Sequence, residues 1–173
     1  MKRISKKTVL THLNKSTKEE IINEVLILFN RFDYVKEFYA AELSEAGNPI
    51  LGKYKKKIVK AYSSVNPSER RTNMNVNKMI LDFNKVIIYK HELIDLLLHR
   101  VECGVQAFCV NNKRSETYYN CIFNSFQQAV KIIENENCIG EFHARIIDLV
   151  NSSSVGKYKI KERMIELISN IKR

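Results

Sequence analysis

Apolar residues return every third or fourth position along most of this chain, and no stretch alternates apolar with polar residues between hairpin turns. The first pattern lays a stripe along one face of a helix, whereas strands need the second. The chain is therefore read as all-α. Its 173 residues, 45% of them hydrophobic, suffice for a single domain over 1–173 with one contiguous core. With 5 Gly and 2 Pro, collagen-like and low-complexity classes are out. The longest aliphatic and aromatic run, Val25 to Phe29, falls far short of the roughly 20 apolar residues of a membrane span, so no transmembrane segment is expected. No apolar stretch of the secretory type follows the basic residues Met1 to Lys7, and a cytoplasmic protein is expected.

About eight helices are predicted, packed as a bundle or an irregular stack of helical hairpins. Ser16 and Glu19 match the S-x-x-E capping box ahead of a helix over about 17–31, with Ile21, Ile22, Val25, Leu28, Phe29 and Phe32 as its stripe. Asp33 can cap the next, which would bury Val35, Phe38, Tyr39 and Leu43 before Gly47 ends it. Asn48 and Pro49 open a third, running to about Ser63 with Leu51, Tyr54, Ile58, Ala61 and Tyr62 inward. A loop is predicted from Asn66 to Thr72, and the stripe Val76, Met79, Ile80, Phe83, Ile87 resumes from Asn73 or Asn75. Two longer helices follow at about 91–110 and 115–136, the second capped by Ser115, then shorter ones at about 140–151 and 158–172.

A set of dispersed residues carries a resemblance: Ser5, Lys6, Thr8, Leu10, Leu13, then Ser16, Glu19 to Ile22 and Leu28, then Val35 to Tyr39, with Tyr54 to Ile58 and Val101, Glu102, Gly104, Val105 further on. Together they resemble a bacterial family of small all-helical proteins described only as a domain of unknown function. The resemblance implies an all-helical fold over most of the chain, and no activity, cofactor or catalytic residue.

Charge is unevenly placed. Lys and Arg exceed Asp and Glu by ten, and residues 50–90 alone hold ten basic side chains against Glu69 and Asp82. That subregion carries +8 and favours an anionic partner. Lys53, Lys56, Lys57, Lys60, Arg70 and Arg71 are the candidate polyanion contacts, expected to project outward from two amphipathic helices that hold too few acids to neutralise them. Tyr54 and Tyr62 share the phase of Leu51 and Ile58, which assigns them to the core rather than to base stacking. Gly52 to Lys57 is echoed by Gly156 to Lys161, each near a predicted helix start where an anion is favoured; chance repetition in a lysine-rich chain is the plainer reading.

Chemistry-bearing residues concentrate on the 91–110 helix. His91, Glu92, Asp95, His99, Glu102 and Gln106 fall within one sector of about 100°, and apolar residues take nearly all the rest. His91, Asp95 and His99 are the candidate metal ligands, because carboxylate and imidazole at i, i+4 can grip one divalent ion. His91 and His99 lie about 12 Å apart along the axis, so a third ligand must come from His143, Glu141 or His12. A face turned to water explains the same residues more simply. Among Cys103, Cys109, Cys121 and Cys138 there is no C-x-x-C pair, and Cys103 and Cys109 are read as structural, lacking a base at helical spacing. Phosphate loops, the G-x-S-x-G elbow and H-E-x-x-H are all missing. The sequence thus points to a non-enzymatic helical module that binds a protein partner through a groove between helices. Sequence-nonspecific binding of nucleic acid or another polyanion is the alternative, metal-dependent activity a second one, and no cofactor is expected.

Overall fold

The computed structural model describes residues 4–43, 49–63, 68–87, 89–110, 115–153 and 158–170, and every regular element among them is a helix. Nine are present: α1 (Lys6–Leu13), α2 (Lys18–Arg31), α3 (Asp33–Glu42), α4 (Pro49–Tyr62), α5 (Glu69–Val86), α6 (Lys90–Val110), α7 (Glu116–Asn135), α8 (Ile139–Ser152) and α9 (Ile160–Ser169). The helix α1, with Ser5 as its N-cap, is one more than the sequence pattern revealed.

The core lies in α4 to α9, around α6. Ile50, Tyr54, Ile58 and Tyr62 recur at intervals of four, so α4 buries one straight stripe against α5 and α6. Leu93, Ile94, Leu96, Leu97, Leu98 and Val101 surround α6 on most sides, which is why it can sit in the middle with α4, α5, α7 and α8 about it. Gly104 lets α7 approach closely, since a methyl group there would overlap the Ile122 side chain. Tyr118, Tyr119, Ile122, Phe126, Val130 and Ile133 fill the α7 side, and Ser115 caps that helix as expected by accepting from the Tyr118 N–H.

Three details depart from the sequence reading. The capping box before α2 uses Thr17 and Glu20, one residue on from Ser16 and Glu19; the Ser16 hydroxyl turns back to the His12 carbonyl. Asp33 is the first residue of α3 rather than its cap, and it pairs with Lys36. The predicted loop is shorter, because α5 starts at Glu69, whose carboxylate accepts from Ser115 and fastens this end to the start of α7. Gly47, Asn48, Asn66 and Pro67 lie outside the described residues.

The largest departure is at the N-terminal end. Neither α1 nor α2 has a buried residue, and in α3 Phe38 is exposed while Leu43 beyond it is 75% exposed. The apolar stripes are real, but among the described residues α2 packs mainly along α3, and α3 carries this arm onto α4 and α5.

Candidate functional site

Three surfaces could carry function, and the first is the polar sector of α6. It is not simply turned to water. Asp95 accepts from Lys55 Nζ of α4 at 2.7 Å and from Arg145 Nη1 of α8 at 2.5 Å. Arg145 Nε donates to Glu102 at 2.6 Å, and the other oxygen of Glu102 lies 3.2 Å from His99 Nδ1. His99 Nε2 is 3.6 Å from Cys103 Sγ. Ile146 and Leu149 anchor α8 on the core, which swings the neighbouring Arg145 over the carboxylates. The half-buried chain Lys55, Asp95, Arg145, Glu102, His99 and Cys103 thus bolts three helices together.

Its electrostatics are self-consistent. Contact with Cys103 and the Glu102 carboxylate raises the His99 pKa to about 9, so the imidazole is protonated at neutral pH. Burial opposes ionisation of Glu102, but hydrogen bonds from His99 and Arg145 outweigh it and hold the carboxyl at about 2. Asp95 is likewise held below its ordinary value, with burial outweighed by Lys55 and Arg145.

The structure does not bring His91, Asp95 and His99 together. His91 is exposed and stacks on Tyr89 with ring centroids 5.5 Å apart, Asp95 is taken by two cations, and His99 faces Glu102 and Cys103. Of the possible third ligands, His143 and Glu141 are exposed and His12 contacts Glu24 at 2.7 Å. Among the described residues no three His, Cys, Asp or Glu side chains are grouped as a metal requires. One sequence inference needs correction: Cys103 does have an imidazole at helical spacing, that of His99 four residues earlier. Cys103 is itself buried, and the Cys109 side chain lies outside the described residues.

The second surface is basic. Several lysines are paired: Lys53 with Glu37 at 2.6 Å and Lys55 with Asp95, both distant in sequence, and Lys85 with Asp82 one turn away on α5. Lys57 lies 5.0 Å from the Tyr54 ring centroid, and Tyr54 and Tyr62 are in the core as their phase indicates. Lys56, Lys60, Arg70 and Arg71 are exposed, with no acidic partner among the described residues. The two arginines stand on the first turn of α5, beside a depression of about 440 Å³ that Ser68 and Asn75 also line. The lysine echo is not structural: Gly52 is inside α4, whereas Tyr158 and Lys159 adopt left-handed backbone ahead of α9. Gly156 and Lys157 lie outside the described residues.

The third surface is apolar. Ile21, Ile22, Val25, Leu26 and Phe29 of α2, with Tyr39 of α3 and the following Leu43, line an open groove of about 380 Å³. Phe29 meets Tyr39 edge-on at 6.1 Å and closes its floor. Ile22 and Leu26 remain about half exposed. The sequence carried a signal for this groove in the width of the apolar arc on α2, which is more than one neighbouring helix can cover.

These features define an all-helical protein with a well-packed body and an apolar N-terminal arm. The chain belongs to the family of unknown function DUF6155, whose sequence profile matches residues 2–171. No curated protein and no solved structure matches it. Among the described residues no helix is long and apolar enough to cross a membrane.

Proposed function

We propose that this protein is a helical interaction module rather than an enzyme, and that its recognition surface is the groove between α2 and α3. One observation carries this reading: among the described residues, eleven of the eighteen exposed large hydrophobic side chains fall within residues 4–43, the part of the chain with least core. Extended apolar patches are uncommon on soluble monomers and mark binding surfaces. A groove between two helices accepts the apolar face of a third, read as anchors at i, i+3 or i+4, and i+7. A photo-crosslinking residue at Leu26 is expected to capture a protein, and the same probe at Leu81 on α5, more exposed but outside the arm, is not. Equal capture at both positions, or none at Leu26, overturns the reading.

A second reading rests on Lys56, Lys60, Arg70 and Arg71, exposed and unopposed among the described residues. Four such contacts to duplex phosphates give a log-log salt slope of about −3.6, at roughly −0.9 per contact. Replacing all four by Gln is expected to abolish binding at low salt without changing sequence preference. Absence of low-salt binding in the native protein removes this reading.

A further inference from the structure

We infer that the occupant of the α2–α3 groove is the same groove of a second copy, paired antiparallel across a two-fold axis near Leu26; this rests on the interaction-module reading above. The first argument is coverage. At about 100° per residue the apolar side chains from Leu28 through Ile21, Val25, Phe29 and Ile22 to Leu26 sweep an arc of about 160° on α2. Among the described residues α3 is the helix that packs along α2, with α1 adding the His12–Glu24 contact, and Tyr39 occupies one side of the arc. A helix of 14 residues is marginal in water without tertiary support, and α2 has no buried residue from which to draw it. Two such hairpins laid face to face make a four-helix arrangement in which each supplies the helix the other lacks.

The second argument is charge. Residues 1–49 hold eight basic and seven acidic side chains, a balance of +1, against +8 over residues 50–90. Two copies of a molecule carrying +10 repel least where the arm is presented.

The third is self-complementarity. Beyond Ile22 and Leu26 the flank of α2 presents Asn23 and Asn30, both exposed and seven residues apart on one line of the helix. A two-fold axis crossing α2 between Leu26 and Ile27 puts Asn23 of one copy opposite Asn30 of the other. Each amide both donates and accepts, so such pairs satisfy themselves in an isologous contact. Among the exposed large apolar side chains, Ile22, Leu26 and Leu43 line the groove itself and are the ones such a contact covers.

Sedimentation of the full chain across micromolar concentrations tests this. A dimer is expected, and Leu26→Glu is expected to raise its dissociation constant by about thirtyfold or more, as loss of a central anchor does, with helical content unchanged by far-UV circular dichroism. The paired variant Asn23→Glu with Asn30→Glu is expected to dissociate it as well. Asn23→Glu with Asn30→Lys is expected to retain it, because opposite charges then face each other across the axis. A chain that stays monomeric at high micromolar concentration, or a dimer indifferent to all three variants, overturns the inference. A monomer whose Leu26 probe still captures a different protein overturns the second copy and leaves the interaction module standing; a monomer with no capture removes both.

Discussion

Arg100 is an expensive residue to keep where it is. It is 3% exposed, its Nη1 donates to Asn77 at 2.6 Å, and its Nε and Nη2 are buried without a hydrogen-bond partner among the described residues. The Tyr62 phenol beside it is raised above its ordinary pKa by burial, against the opposing pull of Arg100, and so supplies no countercharge. A buried cation without a carboxylate spends solvation energy it does not recover. Arg100→Met is therefore expected to leave stability unchanged or raise it by about 1–4 kcal/mol, read as a shift in urea midpoint. Arg145→Leu should do the opposite, since it strands Asp95 and Glu102 half-buried: a loss of about 1–3 kcal/mol is expected, and an unchanged midpoint contradicts the role given to the network. At this scale sequence spacing showed that Asp95, His99 and Glu102 share a face. It could not show that Arg145, some fifty residues later, would cover that face.

At the scale of elements, periodicity marks which side of a helix is apolar and says nothing of what covers it. On α4 and α7 the stripe and the core coincide, because neighbouring helices pack along their full length: Tyr54 and Ile58 are buried, as are Ile122 and Phe126. On α2 and α3 the same kind of stripe is left open, and the sequence reading took it for core. Helix ends were legible to within a residue where a cap acts alone, as at Ser115, and ambiguous where two hydroxyls compete. Thr17 rather than Ser16 bonds the Glu20 N–H, and Glu20 returns the bond to the Thr17 N–H at 2.7 Å. Thr17→Ala is thus expected to cost about 1 kcal/mol, seen as faster amide exchange in the first turns of α2. Ser16→Ala should change that exchange little, and the reverse order of effects returns the cap to Ser16.

For the molecule as a whole, charge and apolar exposure are segregated: α4 and α5 carry the excess of lysine and arginine, the arm carries the exposed hydrophobics, and the body is tied across α4, α6 and α8 by one ionic chain. That chain makes global stability depend on pH in two windows of opposite sign. The His99 pKa is about 9 when folded against an ordinary 6.5, so the folded state holds its proton longer. Its contribution is fully present below pH 6.5 and is lost as pH rises toward 9. The Glu102 pKa is about 2 against an ordinary 4.5, so its contribution is fully present above pH 4.5 and is lost as pH falls toward 2. Between those windows the contact of His99 with Glu102 is intact, and the urea midpoint is expected to be highest near pH 5 to 6. His99→Gln keeps a hydrogen-bonding side chain and removes the titration. The midpoint of this variant should be lower than that of the native chain at pH 6, and the gap should close by pH 9, once the native imidazole has begun to lose its proton. Equilibrium urea titrations of both proteins at several pH values measure that gap directly, and a constant gap between pH 6 and 9 means that folding does not shift the titration of His99.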